Sequence, residues 1–163
     1  MGKKPKFFEK TISEIAQRMK DTRYAIRGTA SLVLQDIDMN IDDIDIIANE
    51  KTSLLFNDKL KDFINEKVKY KKSEKIKSYY GKFTINKIQI EIMGCMQIKN
   101  KENEWSNPFD ASSDEVTSIK LKDQLVKVTT IQTELMMFSL LGRWNAFHKI
   151  KRQIDLKNQR RLL

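Results

Sequence analysis

The 163-residue chain predicts an α+β fold, on three observations. Apolar residues recur at helical spacing in some stretches and at every second position in others. Two pairs of the period-two stretches are separated by short polar turns, as in hairpins. Helices and strands are intermixed without the regular strand–helix alternation of a parallel α/β sheet. At 19.2 kDa the chain is large enough to bury a core as one domain over 1–163. We expect a core over about 6–110 and a C-terminal hairpin with two helices over about 111–158.

The elements follow in order. Phe8, Ile12, Ile15, Ala16 and Met19 lie on one helical face, so 6–20 predicts an amphipathic helix. Arg23 to Arg27 predicts a short strand ending at Gly28, and Thr29 to Gln35 a second helix. After a polar loop from Asp36 to Asp42, the alternation Asp43-Ile44-Asp45-Ile46 marks a half-buried strand running to Ala48. Phe56, Leu60, Phe63 and Ile64 predict a helix across 50–68, and the Lys-rich stretch Lys67 to Lys77 a loop and strand entry. Residues 75–85 and 88–93 predict a hairpin turned at Asn86-Lys87 and closed at Gly94, and Gln97 to Asn100 a weak strand. A second hairpin is expected from 117–121 and 125–129. Thr129 with Gln132 reads as a capping box for a helix through Met136–Leu141, ended by Gly142. Trp144, Phe147, Ile150 and Ile154 predict the last helix, with Trp144, Phe147, Met136, Met137 and Phe138 packed in the core and the chain fraying beyond Asp155.

Composition narrows the chemistry. One cysteine, Cys95, and one histidine, His148, exclude an internal disulfide and a Cys/His zinc site. No apolar run reaches the roughly 18 residues of a membrane span. Lys3, Lys4 and Lys6 lead into an amphipathic rather than an apolar segment, so no membrane partner and a cytoplasmic location are expected. The net charge of +9 suggests an anionic partner. Its distribution says more: Gly28 to Glu50 holds six acids and no Lys or Arg, whereas Lys149 to Arg161 holds six bases and one acid. An acidic centre in a basic frame suits metal-assisted phosphate chemistry.

Three pieces carry that chemistry. On a strand, residues two apart share a face, so Asp43 and Asp45 project together while Ile44 and Ile46 enter the core. Two neighbouring carboxylates repel each other, and a divalent cation between them reverses the sign. Hard oxygen ligands suit Mg2+, which takes its remaining ligands from water and substrate phosphates. A strand over 88–93 laid beside 43–48 brings in Glu91, and three carboxylates can hold two ions. Gly28-Thr29 at a strand-to-helix turn adds backbone N–H groups and a hydroxyl for a phosphate. The set suggests a site that grips a nucleoside triphosphate at its outer phosphates and supports attack at the α-phosphorus.

Arg27-Gly28-Thr29-Ala30-Ser31-Leu32-Val33-Leu34, Asp42-Asp43-Ile44-Asp45-Ile46 and Gln89-Ile90-Glu91-Ile92-Met93-Gly94 resemble the nucleotidyltransferase superfamily, in particular its minimal and antibiotic-modifying members with a DNA polymerase beta-like fold. The resemblance extends more loosely over Glu134 to Lys149. Thr29 stands where Ser or Gly is usual, and Cys95 where relatives often have an acid. The resemblance implies a mixed-sheet core and transfer of a nucleoside monophosphate from an NTP to a hydroxyl on a small molecule, RNA or protein, with pyrophosphate leaving. It makes Asp43, Asp45 and Glu91 metal ligands, with Glu91 alternatively the base. Gly28 and Thr29 then hold the β- and γ-phosphates, and Arg143 and Lys149 are candidates for nucleotide or acceptor contacts. An alternative is a catalytically inactive, nucleotide-binding regulatory or antitoxin-like partner protein of the same fold. RNA binding driven by charge alone ranks below both, since no aromatic RNA-recognition pattern accompanies it.

Overall fold

The computed structural model describes residues 2–162. The elements are α1 (Phe8–Arg18), β1 (Tyr24–Arg27), α2 (Gly28–Leu34), β2 (Ile44–Ala48), α3 (Glu50–Lys59), β3 (Ile64–Lys72), β4 (Ile76–Ile85), β5 (Ile88–Ile98), β6 (Val116–Leu121), β7 (Gln124–Thr129), α4 (Ile131–Leu140) and α5 (Trp144–Arg161), with a 3-10 turn at Lys61–Phe63. The strands form one mixed sheet in the order β3-β4-β5-β2-β1-β7-β6. β1 runs antiparallel to β2 and parallel to β7, and β2 runs parallel to β5. This is the α+β class expected.

Period-two alternation sorts the strand residues onto two faces. Tyr24, Ile26, Ile44, Ile46, Ile90 and Ile92 pack with Phe8, Ile12 and Ile15 of α1 and Phe56 of α3. The alternate residues Ala25 and Ile47 pack with Met96, Ile98 and Phe109, and with Met137 of α4. Leu32 and Ile37 complete a third cluster with Phe138 of α4 and Ile150 of α5. The central strands are covered on both faces, which holds their backbone rigid where the carboxylates project.

Several expectations are corrected. The helix expected over 50–68 stops at Lys59, and 64–72 is a strand. Only Val68 of β3 is buried, so this edge strand carries no apolar alternation, and its lysines protect an otherwise open edge. Gly94 does not close β5, which continues to Ile98 and absorbs what read as a separate strand at 97–100. A register shift between Lys77 and Tyr79, and Cys95 at φ 48°, mark an irregularity that the strand passes through. The cap of α4 is Thr130, whose hydroxyl accepts from Thr133 N at 3.1 Å. Trp144 is 43% exposed and Met136 56%, so neither is core; Met137 and Phe138 are buried. Trp144 instead makes a surface ring cluster with His148 and with Phe147, which is half-buried against the cluster of Leu32, Ile37, Phe138 and Ile150. α5 stays helical to Arg161 rather than fraying at Asp155. Among the described residues no helix is long and apolar enough to cross a membrane.

Candidate active site

The strand pairings set a row of ionisable residues across one face of the sheet. Glu66 on β3 pairs with Lys82 on β4, Lys82 with Glu91 on β5, Glu91 with Asp45 on β2, and Asp45 with Arg27 on β1. Asp43 precedes β2 by one residue and lies two positions from Asp45. Carboxylate oxygens of Asp43, Asp45 and Glu91, one from each, lie within 4.8 Å of one another.

The turn after β1 closes against this trio. Gly28 adopts φ +69°, a left-handed conformation that a side chain disfavours. A Cβ there would stand 3.1 Å from Asp45 Oδ2, so the backbone approaches the carboxylate because Gly28 has no side chain. At seven residues α2 is too short for its dipole to hold a phosphate alone.

One cavity of about 370 Å³ gathers these groups. Arg27, Gly28, Thr29, Asp43, Asp45 and Glu91 form its polar part, Met93, Met96, Phe138 and Leu141 its apolar wall, and Arg143 its rim. Arg143 is placed by the end of α4: Gly142 takes φ +70°, its N–H donates to Ser139 O at 3.1 Å, and Arg143 N donates to Phe138 O at 2.9 Å. Lys149 is not part of this lining; it stands on the exposed side of α5. A larger groove of about 810 Å³ at Arg23, Ser112 and Lys127 contains none of the trio.

The electrostatics fit a hard divalent cation. Asp45 Oδ1 is buried without a hydrogen-bond partner. Burial pushes the Asp45 carboxyl up to about 7; Arg27 opposes the rise, while Asp43, Glu91 and Glu134 add to it. The Asp43 carboxyl is raised too, by burial first and then by Glu91 and Asp42. Crowded, desolvated, all-oxygen donors of this kind are relieved by a bound cation.

Sequence reasoning missed the groups that support the trio. Tyr80 donates its hydroxyl to Glu91 Oε1 at 2.9 Å, and Gln89 Nε2 donates to the same oxygen at 3.1 Å. Counting outward from the Asn86-Lys87 turn would have set Lys82 opposite Glu91 and Tyr80 two pairs further along the hairpin. The motifs assign no role to Arg27 or Glu134, and both are buried beside Asp45. Cys95 lies outside the cavity lining, and its thiol is raised by burial and then by Asp110.

No family model matches the chain, and no curated protein matches it significantly. Two solved structures share its fold. One is a provisionally assigned nucleotidyltransferase from Thermotoga maritima, with a TM-score of 0.80, 22% identity, and coverage of 94% of this chain and 96% of that one. The other is the lincosamide antibiotic adenylyltransferase LnuA in its lincomycin-bound crystal structure, with a TM-score of 0.54, 14% identity, and coverage of 86% and 92%. The chain therefore has a nucleotidyltransferase-like fold.

Proposed function

We propose that the chain is a metal-dependent nucleotidyltransferase that moves a nucleoside monophosphate from a nucleoside triphosphate to a hydroxyl acceptor, releasing pyrophosphate. One observation carries this reading: Asp43, Asp45 and Glu91 converge to within 4.8 Å, in the same cavity as the Gly28-Thr29 turn. Both fold neighbours bear names of this reaction class, one of them for antibiotic adenylylation.

Asp43, Asp45 and Glu91 would hold Mg2+, in one or two ions, and bound cations there would offset triphosphate charge and favour the ionised acceptor oxygen. The remaining work belongs to the chain. The Thr29 hydroxyl donates to an outer phosphate oxygen, and the missing side chain at Gly28 lets that phosphate approach the turn. Glu91 accepts the proton of the attacking hydroxyl, with Tyr80 and Gln89 fixing its orientation through Oε1. The acceptor oxygen bonds to the α-phosphorus as the bond to the β-phosphate oxygen breaks, and pyrophosphate leaves. Arg143 at the rim faces the departing or incoming charge. Positioning and charge neutralisation supply most of the rate in such a displacement. The reading places the protein in the cytoplasm as one working domain.

The test is to incubate the protein with each α-labelled triphosphate, Mg2+ and a cell lysate. Label should pass to an acceptor with the wild type and fail with the folded Asp43→Asn/Asp45→Asn variant. Equal labelling by both defeats the reading. Triphosphate binding by the wild type without any labelling replaces it with the nucleotide-binding regulator.

A further inference from the structure

Arg27 ends β1 at the floor of the cavity, and its side chain is 8% exposed. Its donors are almost unspent. Nη1 reaches Met93 Sδ at 3.3 Å, a weak acceptor, and Nε is buried with no partner. Nη1 stands 3.9 Å from Asp45 Oδ2 and Nη2 stands 3.9 Å from Glu134 Oε1, both beyond hydrogen-bond reach. Glu134 itself is fully buried in the first turn of α4. Its Oε2 accepts from the Thr129 hydroxyl at 2.6 Å, whereas Oε1 has no hydrogen-bond partner.

Burying a guanidinium with most of its N–H groups empty is costly unless an anion completes it. Neither carboxylate does so here. Asp45 belongs to the cation trio, and Glu134 is tied by Thr129 to a position that attracts the guanidinium without closing on it. The cavity that holds Thr29 is also lined by Arg27. A planar fork of free donors suits the paired non-bridging oxygens of a phosphate.

We propose that Arg27 is a phosphate-binding residue of this site and that Glu134, fixed by Thr129, is its positioning residue. Glu134 balances the guanidinium charge before the anion arrives and keeps the fork aimed at the cavity rather than folded onto Asp45. The ligand class is a polyphosphate, the outer phosphates of a nucleoside triphosphate. The inference rests in part on the nucleotidyltransferase reading, so its test separates the two.

Full-length protein is titrated calorimetrically with a non-hydrolysable nucleoside triphosphate, in Mg2+ and in EDTA. Arg27→Lys keeps the charge and loses the fork; it should bind the triphosphate about tenfold more weakly or worse under both conditions. Glu134→Gln should weaken triphosphate binding severalfold while leaving Mn2+ affinity in the absence of nucleotide at or above the wild-type value; a purely structural role would weaken both. A second measurement uses the wild type alone: triphosphate should slow modification of Arg27 by phenylglyoxal, read by peptide mass spectrometry. Wild-type affinity in Arg27→Lys, or unprotected Arg27, overturns the proposal while the nucleotidyltransferase reading stands. Binding that needs Arg27 but not Asp43 and Asp45 supports the proposal and defeats that reading. A wild type that binds no triphosphate defeats both.

Discussion

Asp45→Asn should make the cation-free protein more stable at alkaline pH. The Asp45 carboxyl is raised from 3.8 to about 7 in the folded state. The folded protein therefore holds this proton to a higher pH than the unfolded chain does. The resulting penalty begins as pH rises through the ordinary carboxylate range and is complete above the folded value. A shift of about 3 pH units corresponds to about 4 kcal/mol lost at about pH 8.5, and to about 2 kcal/mol at about pH 5. The opposing help from Arg27 is already within that shift, and Arg27 keeps Glu134 as a neighbour in the variant. Urea unfolding of both proteins in EDTA at the two pH values measures the difference. The variant should be the more stable, with the gap widening by about 2–3 kcal/mol from the lower to the higher pH. Excess Mg2+ should shrink or reverse the gap at the higher pH, because a cation stabilises only the protein that binds it. A gap that is independent of pH, or a variant less stable in EDTA at the higher pH, would refute the claim that Asp45 is a strained carboxylate.

Other outcomes follow from the same geometry. Gly28→Ala meets both a positive φ and a contact at 3.1 Å with Asp45, whereas Gly142→Ala meets a positive φ in open space. Gly142→Ala should cost about 1 kcal/mol by urea unfolding and Gly28→Ala measurably more, with triphosphate affinity lost only in the latter. Tyr80→Phe removes one of two donors to Glu91 Oε1; steady-state kinetics should show kcat falling about tenfold with the KM for triphosphate unchanged. Thr130→Ala removes the cap of α4 and should lower stability by about 1 kcal/mol, while Thr129→Ala, which frees Glu134, should lower triphosphate affinity as well.

How much of this was legible in the sequence depends on which residues carried the signal. Period two is a property of the strand itself, so Asp43-Ile44-Asp45 and Ile88 to Met93 announced their faces without knowledge of their neighbours. The Asn86-Lys87 turn was legible too, from the period-two runs on either side of it, and both residues adopt the positive φ, 53° and 67°, that a tight two-residue hairpin requires. β3 was not legible: its single buried residue, Val68, leaves no alternation, and its pattern of Lys and Tyr reads as loop. Phe63 and Ile64 extended the apparent helix because they sit at helical spacing from Phe56 and Leu60, although both pack against the sheet core after the chain has turned. Glu134 was beyond reach for another reason. Its burial is created by Arg27 and Thr129 from two different strands, and no local spacing encodes that meeting. Trp144 shows the converse, an aromatic at core spacing that the end of α4 leaves facing solvent.

The most direct test is calorimetric binding of a non-hydrolysable nucleoside triphosphate to the wild type and to Asp43→Asn/Asp45→Asn, with Mg2+ present or chelated. The account expects Mg2+ to tighten binding to the wild type and to have no effect on the variant. Tightening of equal size in both proteins would contradict it.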